Sequence, residues 1–308
     1  MRQLCVLLIV VMLFFALHAP AEAQCTVNGN ADPAPVDGTS GDDSIACNGQ
    51  ALDDGADTVT VEAMDGNDSV NIDNTTVTGF DGINLGNGDD HITWDGGSIS
   101  ADRDAIVGED GNDTITINST TITGDANNDD VGAAVHDDGG NNIVGIGVTG
   151  AVTLSGGDYG IFLGAGNDQV LLQNSTLTVL SANPVRGWGI QANGGNNEVT
   201  LNNSDLHSTQ TGIEAGGGND TISVNGASSL DSLTDGAIEI SAGNDSLSVS
   251  GASTVTGATT GIDAGSGNDT IIVSGGSFIT GDNDDGIDGG DGNDSLFIDD
   301  SGISGGAS

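Results

Sequence analysis

Polar and apolar residues alternate along this chain in short bursts, each cut off after a few positions by Gly or Asn. Thr114-Ile115-Thr116-Ile117 has the two-residue period of a half-buried strand. Asn118-Ser119 interrupts it, Thr120-Thr121-Ile122-Thr123 resumes it, and Gly124 ends it. A third apolar piece precedes the next burst, as in Gly82-Ile83-Asn84-Leu85, Gly160-Ile161-Phe162-Leu163, Gly212-Ile213-Glu214-Ala215 and Gly261-Ile262-Asp263-Ala264. Three short strands therefore form a unit, and the unit repeats.

The repeat is marked by one phrase, Gly-Asn-Asp followed by a polar–apolar pair. It occurs at Gly66–Val70, Gly111–Ile115, Gly166–Val170, Gly218–Ile222, Gly243–Leu247, Gly267–Ile271 and Gly292–Leu296. Looser copies start at Gly41, Gly55, Gly88, Gly140 and Gly195. Aligned on the acid, the positions are Asp43, Asp57, Asp68, Asp90, Asp113, Asn142, Asp168, Asn197, Asp220, Asp245, Asp269 and Asp294. After an irregular start the spacing settles near 24. Self-similarity at that period signals a stacked-repeat architecture. One coil cannot bury its own apolar face, whereas stacked coils bury a continuous column of Ile, Val and Leu. The expected fold is all-β: a right-handed parallel β-helix of about 24 residues and three short strands per coil. Eleven or twelve coils at about 4.8 Å each would make a rod of roughly 50–60 Å. Gly and Asn suit the corners, where φ is positive.

The first residues do not belong to that pattern. Arg2, the apolar run Leu4–Leu17 and Ala21-Glu22-Ala23 read as a secretory signal peptide over 1–23. No later stretch is apolar enough to cross a bilayer. Export permits a disulfide, and the mature chain keeps two cysteines, Cys25 and Cys47, which can pair in one way. Residues 24–50 are read as an N-terminal cap with that disulfide, and 51–308 as β-helix coils whose C-terminal cap is missing, as in a fragment of a longer protein.

Charge narrows the partners. The chain holds 46 acids against three Arg, with formal net charge −43, and it has no Lys. Such a surface repels nucleic acid and anionic membrane and attracts divalent cations. High charge and 3% aromatic content are also the signature of disorder. The regular Val, Ile and Leu positions argue for a fold instead.

Five copies of the phrase extend to Gly-x-Gly-x-Asp: Gly86–Asp90, Gly164–Asp168, Gly216–Asp220, Gly265–Asp269 and Gly290–Asp294. This resembles the calcium-binding repeat of the RTX (hemolysin-type) family. The resemblance implies calcium held by turn backbone and by Asp90, Asp168, Asp220, Asp269 and Asp294. That family repeats every nine residues in tandem, whereas here there is one such turn per longer coil. The longer coil looks more like the β-helical passengers of autotransporters and related adhesins, although no C-terminal membrane barrel follows in this sequence.

Other chemistries leave weaker traces. Many parallel β-helices are pectate-lyase-like or polygalacturonase-like enzymes. A lyase needs a basic proton acceptor, and Arg103 and Arg186 lie in different repeats. A hydrolase needs paired carboxylates, which this composition supplies everywhere without discrimination. Sugar-stacking side chains would come from Trp94, Trp188, Tyr159 and a few Phe. A flat ice-binding face wants uniform Thr rows, and the outward row here is mixed. His91, His136 and His207 sit in separate repeats. No catalytic or organic-cofactor residues are expected. The reading is an exported, extracellular or cell-surface rod of a Gram-negative bacterium, structural or adhesive, binding calcium. Expected partners are divalent cations, a surface glycan, or a host or neighbour-cell protein. The alternative is a glycan-acting β-helical enzyme.

Overall fold

The computed structural model describes residues 25–32, 35–53, 59–125, 132–181 and 186–306. The signal peptide over 1–23 and Asp57 lie outside the described residues. Those described contain no helix; their strands stack in parallel into a β-solenoid of about 10 turns, with roughly 25 residues per turn.

Each turn contributes to three strand columns. The first runs from Ser44–Asn48 through Thr114–Asn118, Gln169–Gln173 and Thr221–Asn225 to Ser295–Asp299. The second includes Thr121–Thr123, Thr153–Ser155, Thr176–Val179 and Phe278–Gly281. In two early coils the first and second pieces fuse, as Ser69–Gly79 and His91–Ala101. The third column runs from Val36–Asp37 through Ala133–Gly139, Tyr159–Ala165 and Trp188–Gly194 to Ile287–Asp288.

Register puts like on like. Ile92, Ile115, Val144, Val170, Val199, Ile222, Leu247 and Ile271 are successive partners across the first column. All are buried, while their chain neighbours face outward. Burying one such side chain stabilises by about 1.5–3 kcal/mol, and this column alone repeats the gain coil after coil. Trp94 belongs to this core too: it is fully buried, and its Nε1–H donates to the Gly96 carbonyl at 2.6 Å. It is therefore no sugar platform.

The irregular start has a simple cause. Asp43 bonds directly to Asp68, 25 residues on. The interval holding Asp57 is thus one ordinary coil, and Val59–Glu62 is its third-column strand. This is why the turns number about ten, fewer than the eleven or twelve expected from counting phrases. At the N-terminal end Cys25–Val27 and Asn30–Asp32 form an antiparallel hairpin, and Cys25–Val27 also pairs antiparallel with Ser44–Asn48. A disulfide joins Cys25 to Cys47 there. At the other end Leu296, Phe297 and Ile298 are exposed.

Candidate functional site

The Gly-Asn-Asp phrase forms the corner between the third and first columns, and its three residues do three different jobs. Gly111 has φ +157°, and a Cβ there would collide with the carbonyl of Gly88 one coil earlier. Gly140, Gly166, Gly195, Gly218, Gly243, Gly267 and Gly292 each meet the preceding coil's glycine in the same way. Close backbone approach, more than φ alone, thus requires glycine.

The Asn side chains reach forward. The amide N–H of Asn141 donates to Asn112 Oδ1 at 2.9 Å, Asn167 to Asn141 at 2.9 Å, and Asn196 to Asn167 at 2.8 Å. The series runs from Asp42 to Asn293, with Asp42 and Asp89 standing in for Asn. The Asp side chains reach back. The amide N–H of Asp90 donates to Asp113 Oδ1 at 2.8 Å, Asp113 to Asn142 at 2.8 Å, Asn142 to Asp168 at 2.8 Å, and Asp168 to Asn197 at 3.0 Å. This second ladder joins every coil from Asp43 to Asp294.

One oxygen of each Asp is used and the other is not. Oδ2 of Asp68, Asp90, Asp113, Asp168, Asp220, Asp245 and Asp269 is buried and has no hydrogen-bond partner. Burial pushes the Asp90 carboxyl up to about 7, against the Asp68 N–H that favours its ionised form. Burial likewise raises Asp168 and Asp245 to about 6, and lifts Asp68 and Asp220 above the usual carboxylate range. Asp43 differs: its burial is outweighed by hydrogen bonds from Thr39 and Asn28, and its pKa falls.

Of the five acids singled out by Gly-x-Gly-x-Asp, Asp90, Asp168, Asp220 and Asp269 have this orphaned oxygen; Asp294 sits exposed on the last coil. Asp68, Asp113 and Asp245 are their structural equals, and the two-glycine spacing missed them. Asn142 and Asn197 divide the ladder. They leave one acid run at Asp43, Asp68, Asp90 and Asp113, another at Asp220, Asp245, Asp269 and Asp294, and Asp168 between amides.

One further acid, Asp137, was not visible as a site residue. It occupies a core position in the third column, in register with Leu163, after which come Ala192, Ala215 and Ile240. It is fully buried. Its Oδ1 accepts the Gly139 N–H at 3.1 Å and Asn142 Nδ2–H at 2.7 Å. Its Oδ2 lies beside Asp113 Oδ2 over Gly108, where a Cβ would clash with both. Burial and the neighbouring Asp113 charge hold Asp137 well above the usual range. The coil that gained this acid carries Asn142 in place of the ladder Asp. Aligning the third strands as well as the phrases would have revealed the substitution.

Among the described residues no three His, Cys, Asp or Glu side chains converge into a metal cluster. The ladder acids stand in single file, at most one per coil, and Asp137 lies beside them, off that file. Residues on stacked parallel strands repeat at about 4.8 Å, so a cation midway between two ladder oxygens would lie about 2.4 Å from each. Calcium–oxygen distances are about 2.3–2.6 Å. The orphaned Oδ2 atoms of the two acid runs are the side-chain oxygens that could face such a cation, and carbonyls and water would have to supply the rest of its six to eight ligands.

No protein-family model, curated protein or solved structure matches the chain. The candidate sites accordingly stand on geometry alone. A second region lies on the outer face of the third column, where Arg103 and Arg186, three coils apart, come to the same side. Arg103 pairs with Asp81 at 2.8 Å and Asp104 at 3.2 Å, and Arg186 pairs with Asp158 at 2.7 Å. Further along the same face, Gln191, Glu214 and Glu239 are register partners. Burial raises both glutamates above the usual range, and Gln191 Nε2–H donates to Glu214 at 2.9 Å.

Proposed function

We propose that this chain is an exported acidic rod with a structural or adhesive role outside the cell, and that calcium binds along the two acid runs of its turn ladder. The observation that carries the reading is the file of buried Asp Oδ2 atoms without hydrogen-bond partners. Buried polar atoms normally find partners, and each ionised one left alone is costly. A divalent cation between neighbouring coils neutralises two at once. The five acids of the RTX-like turns, Asp90, Asp168, Asp220, Asp269 and Asp294, remain the reference ligands, and Asp68, Asp113 and Asp245 join them. Asp168, flanked by Asn142 and Asn197, is the weakest. Export follows from the signal-like segment over 1–23. The described residues include no helix long and apolar enough to cross a membrane.

The test is a calcium titration of the metal-depleted full chain at neutral pH, followed by thermal melting and far-ultraviolet circular dichroism. Calcium binding predicts a rise in melting temperature that magnesium reproduces poorly, because Mg2+ demands tighter octahedral geometry. An unchanged melting curve at millimolar calcium sinks the proposal.

A second reading, a polysaccharide-acting enzyme, draws on the Glu214–Glu239 pair. Neighbouring strands stand about 4.8 Å apart, near the roughly 5–5.5 Å between carboxylates of retaining glycosidases. Release of reducing ends from polysaccharide by the purified chain would favour it, and no release would remove it.

A further inference from the structure

One coil of the third column lacks large side chains where its neighbours carry them. Gly132 and Ala133 are small. The coil before presents Arg103 and Asp104, and the coil after presents Asp158 and Tyr159. Gly132 abuts the Arg103 carbonyl, its own carbonyl accepts the Asp158 N–H at 3.0 Å, and Ala133 is the register partner of Tyr159. The result is an open cleft of about 290 Å³ floored by Val107, Gly132 and His136.

Its walls are planar groups. Tyr159 bounds the C-terminal side. Trp188, its register partner in the next coil, stacks on it with ring centroids 5.3 Å apart and planes 19° from parallel. The Trp188 side of Tyr159 is covered, and the other side bounds the cleft. On the N-terminal side the Arg103 guanidinium lies 5.3 Å from the Phe80 ring centroid and is held there by Asp81 and Asp104. The aromatic residues are nine in all, of which Phe14 and Phe15 lie in the signal. Four of the other seven, Phe80, Tyr159, Phe162 and Trp188, gather here with both remaining arginines. In a chain so poor in aromatics and cations, that gathering needs a reason.

Two coils span about 9–10 Å. A flat ring stacked on both sides needs about 7–8 Å, twice the usual 3.5–4 Å contact. The slot is one ring thick. Its rim is polar: Asp138 and Glu109 accept, Arg103 and His136 donate, and Asp158 is held by Arg186. His136 Nε2 lies 3.2 Å from Asp138, and its Nδ1 is 3.6 Å from Asp104.

We propose that this cleft binds one neutral hexopyranose unit of a glycan, with the apolar face of the sugar on Tyr159 and its hydroxyls on the rim. Hydroxyls both donate and accept, which suits a rim of carboxylates, guanidinium and imidazole. With their ion-pair partners counted, the carboxylates of Asp81, Asp104, Glu109, Asp138 and Asp158 outnumber Arg103, Arg186 and His136 by five to three. Uronate, sulfated sugar, phosphate and nucleic acid are thereby disfavoured. A quaternary ammonium ligand wants several open aromatic faces, and only Tyr159 offers one. None of the residues lining the cleft is a ladder acid, and the proposal needs no bound calcium.

The experiment is isothermal titration of the full chain with neutral hexasaccharides of glucose, mannose and galactose, and with hexagalacturonate. Trp188 fluorescence serves as a parallel signal, since Trp94 is sealed in the core. At least one neutral hexasaccharide should bind, about tenfold or more tighter than hexagalacturonate. Tyr159→Ala should weaken it about tenfold, and Tyr159→Phe, which keeps the ring, by less than about threefold. Asp138→Asn on the exposed rim tests the same site without touching the core, and should weaken binding about threefold or more. Absence of neutral-sugar binding overturns the proposal. So does preference for hexagalacturonate, or unchanged affinity in both Tyr159→Ala and Asp138→Asn.

Discussion

Replacing Asp245 by Ala and by Asn separates the two oxygens of a ladder rung. Asp245 Oδ1 accepts the Asp220 N–H at 2.7 Å, and the Asp245 N–H donates to Asp269 at 2.8 Å. Asp245→Ala removes the acceptor and leaves the buried Asp220 amide unpaired, a cost of about 1–3 kcal/mol. Asp245→Asn keeps Oδ1 and exchanges the orphaned Oδ2 for a neutral NH2, as the chain itself does at Asn142 and Asn197. The pH dependence has a definite sign. The folded Asp245 carboxyl is raised to about 6 from the ordinary 3.8. The folded state therefore holds its proton more tightly than the unfolded chain, and stability falls as pH rises from about 4 to about 6. In chelator, the wild type should lose stability across that window, and Asp245→Asn should lose less. At pH 8 the Asn variant should be the most stable of the three, because it alone keeps the rung and removes the buried charge. Exchange of the Asp220 amide, followed by NMR, reads the rung directly. It should quicken about 5- to 150-fold in the Ala variant, matching that free energy, and stay near wild type in the Asn variant. Equal Asp220 exchange in the two variants would show that Oδ1 carries no rung. A wild type whose melting temperature is flat from pH 4 to 8 would refute the raised carboxyls.

Asp137→Asn should stabilise the chain at neutral pH, because the amide is buried without taking up a proton, as the raised Asp137 carboxyl must, and its NH2 keeps a donor on Asp113 Oδ2 while Oδ1 keeps Gly139 and Asn142. The expected gain is about 1–2 kcal/mol in chemical denaturation, and a loss of stability would contradict the pairing. Gly111→Ala should cost about 3 kcal/mol or more, since its Cβ meets the Gly88 carbonyl. Gly41→Ala, with open space around it, should stay within about 0.5 kcal/mol. Similar losses in the two alanine variants would remove the close-approach account.

The fold was legible because period, alternation and corner residues agree with one another. Val, Ile and Leu at the inward positions needed no long-range information beyond the repeat itself. The ladder was half legible. Asp at a fixed point was visible, but which oxygen is spent depends on coils 22 to 29 residues away in sequence. The Asn ladder was overlooked because Asn reads locally as a corner residue. Asp137 was hidden by the sheer number of acids, and only its register with Leu163 marks it as exceptional. The Tyr159 cleft could not be read at all from spacing. It arises from an absence, the small pair Gly132–Ala133, set between two unlike neighbours.

The opposed reach of the Asn and Asp side chains makes the coil a unit of copying. Each corner is held from both sides by identical rungs, yet successive rungs are 22 to 29 residues apart. Axial register is set at this corner and again where the amides of Ser175, Ser204, Ser228 and Ser253 donate to the next coil's Ser hydroxyl, and the segments between are free to lengthen. Excision or duplication of a whole circuit, from one ladder residue to just before the next, rejoins like with like. A cut between non-equivalent points of two coils instead strands a donor on one side and an acceptor on the other. The chain can thus grow or shrink by whole coils, as a text gains or loses whole lines while its margin stays straight.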